Sequence, residues 1–518
     1  MTPAARLEAS IALLEAIEAA PSRPADGVAN DFFRERRFIG SGDRRAVSDR
    51  VWRVLRARRR LSWWVPKATP RLLVAASLLT EGWTLAGVAG SFSGDRFAPA
   101  GLERNEYNAL RRVEGQALEH PDMPDPVRLE LPDWLYPRLQ AQYGAGLAAE
   151  MAALTERAPL DLRVNVLNGT RDEARAALAA EGWDARPTPF SPWGLRIDGR
   201  LPITGGLAFQ SGLVEIQDEG SQLIAALTGA RPGMRVLDWC AGAGGKTLAL
   251  AAMMGNRGQI VACDVSASRL EGAVRRLRRA GVNNVERHLV VPGDKWAKRR
   301  AGAFDRVLVD APCTGTGTWR RNPDARDRLT EQDLLELTRK QSSILDTARA
   351  LVRVGGRLVY ATCSLLQEEN EGQVSSFLIR HPDFVLVPVA QAWPSGGGVP
   401  EGAMPDGGMP DGGGSPGGVA LPGSALPAGV GLPGFALPVE DESPDGLPKR
   451  DALSETGALL ASGVPDDVAL ARDGALARDG LPGWDALPVD AMSGEMLSLT
   501  PARHGTDGFF AAVLERRA

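Results

Sequence analysis

Four cysteines and four histidines in 518 residues leave little material for metal chemistry. Cys240, Cys263, Cys313 and Cys363 lack metal-ligand spacing, and the scattered histidines offer no zinc site. No metal is expected. A chain this long with so few cysteines is no disulfide scaffold, so reduced thiols in a cytoplasm are the expectation. No run of about 18 apolar residues occurs, which argues against a membrane span. The start, MTPAARLEASIALLEAIEAA, carries Glu8, Glu15 and Glu18 and reads as an amphipathic helix rather than a signal peptide.

What is there is uneven. From Pro394 to Met496 sixteen Asp and Glu face four Lys and Arg, a net of −12, which leaves +8 for the rest of a chain whose total is −4. A basic body suits a polyanionic partner. Asp31 to Arg60 alone holds eleven arginines. Its helical pattern puts Val47, Val51, Val54 and Leu55 on one face. The arginines around that face are either a solvated surface or a phosphate-contacting one. Phe32, Phe33, Phe38, Trp52, Trp63 and Trp64 nearby are expected in the core.

The segment 1–125 thus reads as helical. After the proline-rich joint Pro121–Pro132 comes a small α+β module, 126–220. From 221 to 393 strands alternate with helices: MRVLDW, a glycine loop and LALAAMM; GQIVACDV and SRLEGAVRRLRRAG; FDRVLVDAP, then a long helix and GRLVYATCS. That rhythm predicts a doubly wound parallel sheet, with ligands outside the carboxyl ends of its strands. The segment 394–496 is dense in Gly and Pro, lacks either periodicity and reads as a disordered insertion. Residues 497–518 return to the α/β domain as a final strand pair.

The loop Cys240-Ala241-Gly242-Ala243-Gly244-Gly245-Lys246 fails the phosphate-loop pattern, because Cys240 stands where the first Gly belongs. It fails the dinucleotide fingerprint because Thr247 occupies the third Gly position. A tight, side-chain-free strand-to-helix turn remains, open to close approach by a ligand. Asp264, Asp294 and Asp310 follow successive strands. A carboxylate at Asp264 suits two ribose hydroxyls. Carboxylates facing one crevice suit ribose, an adenine amino group and a positive charge, all present in S-adenosylmethionine. Its ammonium would suit Asp310.

Cys313 and Cys363 each follow a strand end beside that crevice, whereas Cys240 and Cys263 read as small buried hydrophobes. Carbon 5 of a pyrimidine is a poor nucleophile until a thiolate adds to carbon 6. It can then attack a sulfonium methyl, lose its proton and expel the thiol. The thiol must ionise near pH 7, below the free cysteine pKa of about 8.5. Asp310 is placed to partner ring nitrogen 3. The chemistry alone leaves open which thiol attacks.

CAGAGGKT, VDAPCTGTGTWRRNPDAR, YATCSLLQEENE and HGTDGFF together resemble the RNA cytosine-C5 methyltransferases of the Sun/RsmB type. The resemblance implies a class I, Rossmann-like methyltransferase domain that binds S-adenosylmethionine through residues 240–246, Asp264, Asp294 and Asp310. It implies Cys363 as the nucleophile and Cys313 as the residue that helps release methylated RNA. RRFIGSGDRRAVSDRVWRVLR resembles the NusB-like RNA-binding domain of members that act on 16S ribosomal RNA. A cytoplasmic monomer acting on that RNA is the expectation. Transfer RNA as substrate, or a ribosome-assembly factor with incidental catalysis, are the alternatives. Gly242-Ala243 replaces the family's usual Ala-Pro, which loosens the loop but removes no ligand group.

Overall fold

The computed structural model describes residues 1–199, 201–393 and 494–517. The segment read as an insertion, 394–496, lies outside them apart from its last three residues. The first 110 residues form seven helices, Pro3–Glu18, Ala25–Glu35, Ser41–Arg56, Arg58–Trp64, Pro70–Leu79, Leu85–Ser91 and Arg104–Leu110. The first begins where Thr2 accepts the Ala5 N–H and Pro3 presets the turn. Val47, Val51, Val54 and Leu55 are buried against Leu13, Leu14, Phe32 and Phe33. Phe38 departs from its expected place: it is 78% exposed, while its neighbour Ile39 enters the core. Two helices are joined across this turn, and only one of the adjacent apolar side chains can point inward.

The proline-rich joint contains one helical turn, Asp125–Arg128. Helices Tyr136–Tyr143 and Leu147–Thr155 follow, and their Leu139, Leu147 and Met151 pack with Trp319, Ala325 and Leu365. Next comes an antiparallel sheet of β1 (Leu160–Val164), β2 (Arg186–Pro187), β3 (Gly194–Ile197) and β4 (Val214–Ile216), in the order β2-β3-β1-β4. Helix Arg171–Ala180 packs on it, started by a reciprocal Thr170/Glu173 capping box. Strand β4 stops at Ile216 because Asp218 accepts the Gly220 N–H at 2.8 Å and starts helix Glu219–Leu227.

The main sheet comprises β5 (Arg235–Asp238), β6 (Gln259–Asp264), β7 (Val285–Leu289), β8 (Phe304–Asp310), β9 (Val352–Thr362), β10 (Phe384–Val387), β11 (Leu497–Leu499) and β12 (Phe509–Arg516). Its order is β10-β12-β9-β8-β5-β6-β7, with β11 on β12. Strands β5 to β9 are parallel; β10, β11 and β12 join antiparallel. The sheet is therefore mixed rather than wholly parallel. The cause lies at the rim, where the Gly508 N–H bonds Gly317 O at 2.8 Å. A strand that starts at Phe509 can only run back down. Alternate residues face opposite cores, Val236, Ile260, Leu308 and Val359 against Leu237, Val261, Val307 and Leu358. Strand order reverses at β5, between β6 and β8, which places the crevice at their carboxyl ends. Among the described residues no helix is long and apolar enough to cross a membrane.

Candidate active site

The glycine loop is built from backbone. Gly242 and Gly244 adopt φ of 55° and 82°, conformations side chains disfavour. A Cβ at Gly244 would also lie 3.2 Å from that of Ala273. The loop is held from outside: Ala241 N–H bonds Cys263 O at 2.9 Å, and Arg276 donates to Ala243 O at 2.9 Å. Asp264, 6% exposed, accepts the N–H groups of Gly242 and Ser266, each at 2.8 Å. It thus shapes the loop before meeting any ligand, although each carboxylate oxygen keeps a second lone pair. Val265 beside it is 63% exposed and offers an apolar surface. Cys263 is fully buried, as read; Cys240 is partly exposed. Desolvation, with Asp264 and Asp310 nearby, holds the Cys240 thiol well above its ordinary range.

Asp294 lies past β7. It accepts Trp296 N–H at 2.7 Å and pairs with His288 Nε2 at 2.6 Å. The Trp296 N–H and then His288 hold its pKa below the ordinary value. Trp296 stacks on His288 at 4.6 Å and on Trp239 at 6.1 Å, so this carboxylate borders an aromatic slab that ends at the glycine loop. At the close of β8, Asp310 meets Lys246 Nζ at 2.7 Å. The sequence placed both residues in the site but not against each other. Lys246 is the second residue of helix Gly245–Met253, so one turn of helix carries a cation back toward the neighbouring strand end.

The two strand-end thiols converge. Cys313 Sγ and Cys363 Sγ lie 3.4 Å apart. Adjacent parallel strands β8 and β9 bring them there, with Asp310 opposite Ala361. Cys313 is 1% exposed and Cys363 is partly open. The contact with Cys363, followed by burial, pushes the Cys313 thiol well above its ordinary range. Gly315 takes a φ of 67°, a conformation side chains disfavour, while a Cβ there would only touch Cys363 Sγ at 3.9 Å. At Gly317 a Cβ would strike Gly508 O at 2.3 Å, so the loop after Cys313 and the one before β12 cross backbone to backbone.

Residues outside the expected set complete the rim. Arg320 and Arg321 bind Asp507 and Asp218, and Arg321 reaches Asp218 at 2.8 Å. The runs WRRN and HGTDGFF carried three of these charges, but nothing local paired them. Glu369, fully buried, accepts from Thr314. The acidic run EENE contained it without distinguishing it from its exposed neighbour Glu368. Among the described residues, no His, Cys, Asp and Glu cluster could hold a metal ion.

Residues 225–406 match the family described as 16S rRNA methyltransferase RsmB/F, and residues 131–204 match the RsmF/B-like ferredoxin-like domain. These two regions are similar to the RsmB/F methyltransferase family. Similar curated proteins include ribosomal RNA small subunit methyltransferase B of Photorhabdus laumondii, 37% identical over 260 residues, and that of Citrobacter koseri, 36% identical over 260. Each match covers 49% of this chain and 59% of the relative, so the chain spans less than two thirds of those proteins. The crystal structure of PH0851 superposes with a TM-score of 0.66 at 22% identity, covering 100% of this chain and 99% of that one. NSun6 from Pyrococcus horikoshii, solved with SFG, reaches 0.51 at 19% identity over 75% of this chain and 99% of its own. The main mixed sheet, β5 to β12, accordingly has a methyltransferase fold, and 131–204 is a separate ferredoxin-like module.

Proposed function

We propose that the chain is an S-adenosylmethionine-dependent RNA cytosine-C5 methyltransferase, a cytoplasmic monomer whose substrate is small-subunit ribosomal RNA. The observation that carries this is the pair of thiols 3.4 Å apart beside the glycine loop. The side-chain-free turn at Gly242 and Gly244, with Asp264, Asp294 and Asp310 around it, fits a cofactor with ribose, adenine and a charged amino-acid end. When bound, S-adenosylmethionine supplies an electrophilic methyl group. The chain's own residues do the rest. The more accessible Cys363 adds its sulfur to carbon 6 of cytosine and makes carbon 5 a nucleophile. Asp310 partners ring nitrogen 3 by passing it a proton as the sulfur adds, and Lys246, 2.7 Å away, stabilises the carboxylate left behind. After carbon 5 has gained the methyl group its proton passes to water, the C–H electron pair restores the carbon 5–carbon 6 double bond, and Cys363 leaves carbon 6 with its bonding pair. Cys313, buried against Cys363, assists that release.

Around this centre we place a NusB-like helical domain at 1–125 and a small α+β module at 126–220, both facing RNA. The methyltransferase domain is 221–393 with 497–518, and 394–496 is an insertion. Bisulfite mapping of total RNA from a deletion strain tests the substrate. One cytosine in 16S RNA should lose its modification; a loss confined to transfer RNA would redirect the assignment. Cys363→Ala should abolish methyl transfer while S-adenosylmethionine still binds, and Cys313→Ala should trap a denaturation-resistant RNA adduct. Methyl transfer by Cys363→Ala at the wild-type rate would defeat the mechanism.

A further inference from the structure

Cys313 is tethered on both sides. Before it, Pro312 O accepts from Gln341 Nε2 at 2.9 Å; after it, Thr314 N–H donates to Glu369 Oε1 at 2.9 Å. Gln341 also donates to Glu369 Oε1 at 2.9 Å, which closes a bracket around the cysteine. Thr314 Oγ1 bonds the other carboxylate oxygen and lies 3.2 Å from Ser364 Oγ, next to Cys363. Glu369, Gln341, Thr314 and Ser364 are each at most 1% exposed. A fully buried carboxyl with only neutral partners is a poor source of stability, since apolar groups of equal shape avoid the desolvation cost. What a fully bonded buried network supplies is a unique geometry.

We propose that Glu369 is a positioning residue which, through Thr314 and Gln341, holds Cys313 where it can assist release of the methylated RNA. This rests on the reading of Cys363 as nucleophile and Cys313 as release residue. Glu369 touches neither thiol and takes no part in the addition at carbon 6. Its loss therefore slows the step after methyl transfer, not methyl transfer itself.

The test uses the full chain, S-adenosylmethionine and in-vitro transcribed 16S rRNA. For Glu369→Leu, which removes both acceptor oxygens, single-turnover methylation should stay within about threefold of wild type while steady-state turnover falls about tenfold or more. A denaturation-resistant adduct should accumulate, as with Cys313→Ala. Thr314→Val keeps the backbone N–H and loses the hydroxyl contacts to Glu369 and Ser364, so it should show the same split more weakly, and it decides the matter if Glu369→Leu fails to fold. Wild-type ratios of single to multiple turnover in both variants, or losses of both rates in step with a lowered melting temperature, would overturn the proposal. If Cys363→Ala still methylates, the functional reading fails and takes this inference with it. If both cysteine variants behave as stated and Glu369→Leu matches wild type, only the inference fails.

Discussion

The glycine loop and the cysteine pair occupy one rim of one sheet but are built by different means. The loop is a backbone device: positive-φ glycines, a helix start and one carboxylate that accepts two nearby N–H groups. Nearly everything it needs lies between Asp238 and Ser266. The cysteine pair is a side-chain device. Its partners come from Gln341 on a distant helix, Glu369 beyond β9, and Gly508 before the last strand. A site made from backbone is written in a few consecutive residues, whereas one made from buried side chains is distributed along the chain.

Asp310 is where the two devices meet, bonded to Lys246 of the loop and three residues before Cys313. Asp310→Asn should lower turnover about 10²–10⁴-fold by removing a partner for the ring, and should also weaken cofactor binding measured by calorimetry. Full turnover in that variant would separate the two regions.

The next effect concerns burial. Glu219 is fully buried, accepts the N–H groups of Phe190 and Ser191 at 2.6 and 2.7 Å, and has its pKa pushed up by desolvation to about 7 from an ordinary 4.5. Between those values the folded chain keeps a proton that the unfolded chain has lost, so stability falls as pH rises. Glu219→Gln cannot ionise. Relative to wild type it should gain about 3 kcal/mol between pH 4.5 and 7.5 in urea titrations, at 1.36 kcal/mol per pKa unit. A flat difference would show that this side-chain site is wetter than its burial implies.

Gly244→Ala tests the backbone device alone. Its φ of 82° imposes strain of about 1–3 kcal/mol on a side chain; a free loop that relaxes this strain must take it up again on binding, read as an affinity for S-adenosylmethionine about five- to 150-fold weaker. Alkylation of Cys363 should proceed at the wild-type rate. Thr316→Val tests the other device. It leaves the buried Leu365 N–H without its 2.7 Å acceptor and should cost about 1–2 kcal/mol of stability, with cofactor affinity unchanged. A cofactor effect here would mean that the two regions are coupled beyond Asp310.

Much of the main domain was legible. Apolar strands alternating with amphipathic helices located β5, β6, β8 and β9, because burial on both faces of a sheet leaves continuous apolar runs. The antiparallel arrival of β12 was not legible, because it depends on where residues 505–508 are held. Phe38 was misplaced for a similar reason: composition marks it as core, and only the geometry of the turn exposes it. Asp264 was located correctly, but its work in shaping the loop needed coordinates.

By itself the sequence determined which groups have chemistry to offer: two thiols, a run of strand-end carboxylates and a loop without side chains. These follow from residue type and local periodicity, which act over a few residues. Only the tertiary structure decided which groups face each other. Lys246 against Asp310, Cys313 against Cys363, and Glu369 beneath Thr314 are 64, 50 and 55 residues apart in the chain. Contacts at such separations are set by strand order and packing, which no short stretch of sequence contains.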